Sequence, residues 1–593
     1  MNNIETKRHS LAHIMAQAVK SIYWNNVKVA IWPDTEDGFY YDFDFLDVSI
    51  SDEDLKEIEK KMKNILKQQQ KFERFELNID EAISKIKLEN EDYKLELAKN
   101  LKEKWEKTLS FYRNIDQNWK ETFCDMCRWP HVEKFSEIDP NSFKLARIAW
   151  AYWLWDEKNK MLTRIYAYAF DTREELENHL KMLEEAKKRD HRFLWAKLRL
   201  FTFSDLVWSW LPLFTPEWAF MRNAIESEIM SIQSRYWFQK VHIPHITKKE
   251  LYETSWHRKK YKDDLFHVKW KSGTEFVMKP MNCPHHAQIY SSQSWSYRDL
   301  PIRYAETTIC YRDELQWELL WLSRVRSLTQ DDWHIFCRID QVWDEARNLV
   351  EVIREFYSKL WMFEEWKFYV SLSVRDSADL SKYLWEEKNW EKAESFLEEV
   401  AKSENLPYKR MEWEAAFYGP KLDFIFKDAI WREWQLATIQ IDFVQPENFK
   451  LEFTNNEWQK ERPVMIHRAI AWSLERFMSV IIEHFAWIFP LWLSPRQVIV
   501  IPVWESFADY AKEVENKLKE KDIRVSSDLS SDWLNKKVRN AEKMHINYIL
   551  VVWEQEQNNK TVSIRNYKTK EQSVEKLDLF LQNVLDEIKN RKL

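Results

Sequence analysis

What this chain of 593 residues lacks is glycine: it has three, Gly38, Gly273 and Gly419, where a soluble protein of this length carries roughly 40. So low a count excludes the usual means of building tight turns, helix C-caps and close backbone approaches, which draw on residues that tolerate positive φ. Tryptophan, among the poorest substitutes, is present 34 times. It stands in polar or turn-like surroundings at Trp24 (YWNN), Trp105 (LKEKWEKT), Trp129 (RWPH), and Trp385 and Trp390 (WEEKNWEKAE). Exposed indoles in that number would present apolar patches and invite aggregation. Three and 34 together come to 37, an ordinary glycine content. The hypothesis that follows is that most of these tryptophans are glycine in the living cell, as when a stop codon reassigned to glycine is rendered as tryptophan. Tryptophan found at positions 317 and 472 by mass spectrometry of the native protein would overturn it.

Cysteine is also scarce. The five present, Cys124, Cys127, Cys283, Cys310 and Cys337, are an odd number in a long chain, which argues for a reducing compartment and for metal or structural use over a disulfide framework. The start MNNIETKRHS lacks the apolar stretch of a signal peptide, and no run approaches 18 apolar residues, so a cytoplasmic protein without membrane contact is expected. Net charge is only −7 with 32% charged residues, so nucleic-acid contact has to come from local patches. The length suits three or four domains.

Residues 27–45 are apolar and aromatic with a turn at Glu36, Asp37 and Gly38, which predicts a hairpin. Ser51 opens a box-like helix start, with Leu55, Ile58, Met62 and Ile65 at helical spacing. A second helix is expected from about Thr172 to Lys188, with Leu176, Leu180 and Leu183 on one stripe, leading into a basic linker. Irregular alternation from about 196 to 492 predicts an α+β domain, and the last hundred residues (VIVIPV, IRVSSD, YILVV) a small α/β domain.

The middle of the chain carries MKPMNCPHH (278–286), RYAETTICYRDE (303–314), SRVRSLTQDDWHIFC (323–337), AFYGPKLDF (416–424), WQLATIQIDF (434–443) and PVMIHRAIAWSLERF (463–477). Six ordered blocks of this length resemble the threonyl-tRNA synthetases, a family of class II aminoacyl-tRNA synthetases, and the likeness runs from Arg8 onward. It implies an editing domain at 1–170, a linker helix at 171–200, an antiparallel-sheet catalytic domain at 201–492 and an anticodon-binding domain at 493–593. The family's glycines fall at Trp129, Trp150, Trp317, Trp321 and Trp472, whereas Trp153, Trp434 and Trp492 match family tryptophans.

Activating an amino acid with ATP needs fixed cations around the phosphates, a task for arginine's always-charged fork. The resemblance gives Arg312 the α-phosphate, Arg476 the γ-phosphate and Glu314 the adenine amino group. Arg324, Gln435 and Ser473 complete the ATP contacts, with Mg²⁺ bridging the phosphates. Soft sulfur with two imidazoles suits Zn²⁺, and three protein ligands leave a fourth position open. Cys283, His334 and His467 each sit beside a strand-like apolar run, and the resemblance assigns them that role, one Zn²⁺ per subunit. The resemblance has threonine bind the metal through its amino and hydroxyl groups, which rejects valine where a merely apolar pocket could not. Gln330, Asp332, Tyr418 and Gln440 match threonine-holding positions, Lys421 one near the reaction centre, and His257 one near transfer to tRNA. Leu320 departs from the histidine of well-known members.

The amino-terminal region has His9 and His13 on one helical face, four residues apart, followed by Cys127 and His131. These suit either a structural zinc or, as the resemblance prefers, hydrolysis of seryl-tRNA. Serine keeps the hydroxyl and is smaller than threonine, so the first site cannot exclude it. Lys94 and Asp125 match further editing positions. Arg539, Glu556 and Arg565 match anticodon contacts, and AFMRNAIESEI with Pro244 matches the element that forms homodimers in class II enzymes. The expected partners are tRNA(Thr), ATP and L-threonine, with no DNA. The alternative of a different class is a non-catalytic RNA-binding paralogue.

Overall fold

The computed structural model describes the chain except residues 1–2, 31–33, 36, 47, 156–157, 193–199, 209, 256–264, 271–272, 274, 317, 365, 377–382, 384–386, 417, 429–430, 487 and 593. His257, Trp317 and Trp385, and residues 193–199 of the expected linker, lie outside the described residues. The chain forms two compact units, Met1–Glu185 and Ala186–Leu593.

In the first unit the helix Asn3–Tyr23 is buried along Arg8–Val19 against a five-stranded antiparallel sheet. The predicted hairpin is there: Val27–Val29 and Asp34–Thr35 both pair with Gly38–Phe45. The helix Asp54–Lys67 starts where Ser51 donates both its backbone N–H and its hydroxyl to Asp54, and it buries Leu55, Ile58, Met62 and Ile65. A three-stranded sheet, Lys71–Asn78, Thr108–Ile115 and Glu121–Met126, carries Asp125 and leads directly to Cys127. The helix Arg173–Arg189 buries Leu176 and His179, while Leu180 and Leu183 are only partly covered.

The second unit is built on an eight-stranded sheet whose six central strands are antiparallel, with a parallel strand at each edge. The helices Pro216–Ser234 and Val342–Ser358 and the helix Leu474–Phe485 share one large core with it. The remaining residues form a mixed five-stranded sheet in which Val498–Pro502 runs parallel to both its neighbours, Val525–Ser527 and the central Tyr548–Val552, with helices on its faces. No helix among the described residues is long and apolar enough to cross a membrane.

Among the described residues, 23 non-glycine residues have positive φ, and twelve of them are tryptophans. Their positions repeat. Trp119 and Trp458 each close a hairpin in which an Asp or Asn three residues earlier (Asp116, Asn455) takes the tryptophan N–H on its carbonyl, while its side chain takes the next N–H. Trp431 makes the same pair of bonds with Asp428. This is a turn whose last residue is left-handed, a place for glycine. Trp105 and Trp361 follow the helices Asp92–Glu103 and Val342–Ser358, and the next N–H reaches back to Leu101 and Tyr357, as in a glycine-terminated helix. Trp24, Trp321 and Trp472, taken from sequence as glycine positions, also have positive φ. Trp129 and Trp150 do not, although both are exposed. Trp390 corrects the sequence reading: it is no turn residue but lies buried on the helix Glu387–Ser403. Trp153 and Trp434, expected as true tryptophans, donate their indole N–H to Glu96 and Asp428.

Candidate active site

A cavity of about 370 Å³ opens on the eight-stranded sheet of the second unit, lined by Cys283, Arg312, Glu314, Arg324, Gln330, Asp332, Tyr418, Lys421, Gln435, Gln440 and His467. These residues are spread over 185 positions of chain, from Cys283 to His467; strand register gathers them. His334 on Trp333–Cys337 stands directly opposite His467 on Val464–Ala469, which in turn faces Gln440 on the next strand, and Gln440 faces Lys421. Alternation along each strand sends those four side chains to one face.

Cys283 differs from expectation: it opens the helix Cys283–Ser291 and is not beside a strand of its own. The pyrrolidine of Pro284 suits a helix start, where no N–H is missed. Candidate ligand atoms of Cys283, His334 and His467 lie within 4.8 Å of one another, all buried. His334 Nε2 is 3.0 Å from His467 Nδ1, close to the roughly 3.3 Å that two nitrogens take around a tetrahedral Zn²⁺. Burial pushes His334 well below the usual imidazole range and the Cys283 thiol well above its own. The donor set, one sulfur and two imidazoles with room beside them, fits zinc.

The hairpin Thr307–Tyr311 and Ser327–Asp331 carries Arg312 at its end, held by its N–H to the Arg326 carbonyl (2.9 Å) and by its Nε to the Pro280 carbonyl (3.3 Å). Opposite, Ser473 caps the helix Leu474–Phe485 by accepting from the Arg476 N–H. Arg476 Nε donates to the Ser323 carbonyl (3.1 Å). Burial, with Arg312 and Arg324 nearby, pulls Arg476 down to about 10, still cationic at neutral pH. The Trp472 ring lies 4.3 Å from the Arg476 guanidinium and 5.7 Å from that of Arg312, between the two cations. Glu314 pairs with Arg324. Burial raises the Asp332 carboxyl.

Several residues of the site were not singled out from sequence. Asp423 accepts from Gln435 (2.7 Å) and Thr438 (2.7 Å) and pairs with Lys421, fixing three lining side chains at once. Asp331 holds the fully buried Arg468 through two 2.8 Å bonds and also takes the Ile470 and Ala471 N–H groups. Glu475 takes the Thr329 N–H and the Ser473 hydroxyl. The cue was available: acidic residues inside apolar strand or helix runs need buried partners. At Gly419 an added Cβ would sit 1.8 Å from the Ile441 carbonyl, so only glycine allows the close approach that lets Gln440 donate to the Gly419 carbonyl (3.1 Å).

In the first unit the other expected cluster is also assembled. Cys127 Sγ lies 3.0 Å from His9 Nε2 and 3.4 Å from His131 Nε2, and His13 Nε2 is 3.8 Å from Asp125. Lys94 Nζ and Tyr41 Oη reach the same Asp125 oxygen at 3.0 and 2.7 Å. A cavity of about 230 Å³ opens beside Lys94 and Asp125. Burial pulls His13 down to about 4 and His9 to about 2, and pushes Cys127 up to about 12. These are neutral imidazoles and a protonated thiol at neutral pH. His9, Cys127 and His131 also satisfy metal-ligand spacing. Towards the end of the chain, Arg539 is exposed on the helix Leu534–Lys543, Arg565 on the strand Thr561–Asn566 pairs with Glu542 (2.8 Å), and Glu556 is buried, accepting from the Trp553 N–H at the start of the helix Glu554–Asn559.

Residues 266–485 match the class II core domain of tRNA synthetases (G, H, P, S and T), and residues 497–591 match an anticodon binding domain. The threonine–tRNA ligase of Gloeobacter violaceus is 45% identical over 563 residues, 94% of this chain and 88% of that protein. That of Thermus thermophilus is 42% identical over 596 residues, 99% and 89% of the two chains. Among solved structures, the RNA binding domain of threonyl-tRNA synthetase from Cryptosporidium parvum aligns with a TM-score of 0.63 at 35% identity, covering 67% of this chain and 98% of that one. Giardia lamblia prolyl-tRNA synthetase, at 15% identity and a TM-score of 0.53 over 70% and 80% of the two chains, shares the fold. With relatives of that identity aligned along nearly its whole length, the chain belongs to the threonine–tRNA ligase family, class II synthetases that use ATP to join threonine to tRNA.

Proposed function

We propose that residues in and around the cavity on the eight-stranded sheet perform threonine activation as follows. Gln330, Asp332, Tyr418 and Gln440 hold threonine, Asp332 pairing with its ammonium. The threonine carboxylate attacks the ATP α-phosphorus, the bond to the bridging oxygen breaks, and pyrophosphate leaves; Mg²⁺ bound with ATP would offset the phosphate charge. Arg312 steadies the α-phosphate and Arg476 the γ-phosphate, while Glu314 reads the adenine amino group, with Arg324, Gln435 and Ser473 around the nucleotide. A terminal ribose hydroxyl of tRNA(Thr) then attacks the threonyl carbonyl and AMP leaves. Lys421 lies near the reacting carboxylate. His257, outside the described residues, keeps its proposed place near the transfer step. Positioning and charge stabilisation carry such chemistry. Cys283, His334 and His467 would hold Zn²⁺, which when bound selects the amino and hydroxyl groups of threonine. The observation that carries this reading is that Arg312, Cys283 and His467 border one cavity, with His334 completing the candidate zinc trio beside His467 and with Arg312 and Arg476 both against the Trp472 ring. An RNA-only paralogue has no use for that grouping. Threonine-dependent ATP–pyrophosphate exchange tests it: loss by about a thousandfold in Arg476→Ala is expected, and exchange unaffected by that change would refute the assignment.

The same reading takes most tryptophans as glycine in the native enzyme. Its support is the left-handed backbone at twelve of them, including Trp321 and Trp472. An indole between Arg312 and Arg476 stands where the phosphates have to lie. We further assign seryl-tRNA hydrolysis to His9, His13, Lys94, Asp125, Cys127 and His131. There a neutral imidazole supplies the base, and the high thiol pKa makes Cys127 a poor nucleophile. Arg539, Glu556 and Arg565 are assigned to the anticodon, Arg539 being the most accessible of the three. A cytoplasmic homodimer completes the proposal.

A further inference from the structure

The candidate zinc ligands have second nitrogens, and the partners of those nitrogens form two buried chains that end in carboxylates. A neutral imidazole has one donor and one acceptor nitrogen, so the group facing one nitrogen decides what the other can offer. His467 turns Nδ1 toward His334 and its Nε2 lies 2.8 Å from Asp442 Oδ2. Asp442 is itself immobile: its other oxygen accepts the Val444 and Gln445 N–H groups at 2.7 and 2.9 Å. His467 therefore donates from Nε2 and keeps a lone pair on Nδ1.

His334 turns Nε2 toward the same point, and its Nδ1 lies 2.7 Å from His286 Nδ1. Only one of two facing Nδ1 atoms can carry the hydrogen. If His334 Nε2 offers a lone pair, His334 Nδ1 donates and His286 Nδ1 accepts. The hydrogen of His286 is then on Nε2, which faces Glu306 Oε2 at 3.6 Å. Those two atoms are buried and neither has a hydrogen-bond partner, so each is the natural complement of the other. Glu306 Oε1 is already fixed by the Ile243 N–H at 3.0 Å. Every hydrogen in the sequence Glu306, His286, His334 thus has one consistent position, and it leaves a lone pair aimed at the trio's centre.

We infer that Glu306, acting through His286, and Asp442, acting directly, are positioning residues that set the tautomer and aim of His334 and His467 for a bound metal. The inference rests on the reading of Cys283, His334 and His467 as zinc ligands. Partners of this kind typically change metal affinity by about 10- to 100-fold.

The test is zinc affinity of the full-length protein, by competition with a chromophoric chelator, with the absorption of the Co²⁺-substituted protein as a second readout. His286→Leu fills the space but cannot accept, and Asp442→Asn removes the charge; each is expected to weaken zinc about 10- to 100-fold and to shift the Co²⁺ ligand-field bands. His286→Gln, whose amide oxygen can accept from His334, should recover most of the affinity. Glu306→Gln keeps the shape and tests the chain's end if His286→Leu fails to fold; a loss of at least threefold is expected. Wild-type protein that binds no zinc would remove the ligand reading itself. Wild-type binding with Glu306→Gln and Asp442→Asn unchanged within twofold would leave the ligands standing and overturn the positioning role.

Discussion

Trp472 is a residue whose side chain and backbone disagree with its place. Its φ is 21°, and its indole packs between the Arg312 and Arg476 guanidinium groups. Phosphates bring charge that two fixed cations can take up, whereas an indole only fills the gap. Trp472→Gly should therefore raise threonine-dependent ATP–pyrophosphate exchange about 100-fold or more, mostly by lowering the KM for ATP. Equal exchange by the two forms would show that the indole does not obstruct the nucleotide. His9 and His13 make a second prediction at this scale. Burial holds both below the roughly 6.5 of the unfolded chain, His13 at about 4 and His9 at about 2. Between pH 6.5 and 4 the unfolded state binds more protons, so stability of this region is complete above pH 6.5 and falls on acidification. The slope reaches about 1.4 kcal/mol per pH unit for each histidine. Hydrogen exchange along Asn3–Tyr23, corrected for intrinsic rate, should lose protection from pH 6.5 to pH 5; protection that rose instead would contradict the assigned burial effect.

At the scale of the element, the tryptophans mark where the chain turns. Trp119 and Trp458 occupy the left-handed residue of hairpins that Asp116 and Asn455 organise, and both are more than four-fifths exposed. A bulky residue at that φ costs about 1 kcal/mol or more relative to glycine. Trp119→Gly is accordingly expected to stabilise the first unit by about 1 kcal/mol, raising its unfolding midpoint by about 2–4 °C; a lowered midpoint would mean that the indole packs usefully. The elements show why part of the molecule was readable. The Ser51–Asp54 start, the hairpin at 27–45 and the pair His9 and His13 depend on residues a few positions apart, and local chemistry specifies them. The opposition of His334 to His467 depends on strand register across more than a hundred residues of chain, which periodicity cannot supply. Trp390 differs for a local reason: charged neighbours in WEEKNWEKAE suggest solvent, but helical spacing turns that one position inward.

The whole molecule separates its two candidate chemistries. Every residue lining the candidate activation cavity lies beyond residue 185, and every residue of the His9, His13, Cys127 and His131 cluster lies before it. The second unit also carries its own anchor for the incoming chain. His191 Nδ1 is 2.6 Å from Glu483, on the helix that Ser473 caps, and its backbone N–H reaches the same oxygen at 3.0 Å. Arg189 donates to the His484 carbonyl, and Glu483 also pairs with Arg432. Asp190, His191 and Glu483 meet ligand spacing for a metal, but Arg192 and Arg432 already neutralise both carboxylates, so this group is an ion-pair clasp. Because the clasp closes within residues 186–593, that segment should keep its cavity when the first unit is removed. A chain beginning at Ala186, with glycine at positions 321 and 472, is expected to retain threonine-dependent ATP–pyrophosphate exchange within about threefold of the full-length form carrying the same changes. It should also accumulate seryl-tRNA(Thr) that the full-length form clears, and His13→Ala in the full chain should reproduce that accumulation. Exchange lost on truncation would show that the first unit shapes the activation site; seryl-tRNA cleared equally by the truncated chain would place hydrolysis elsewhere.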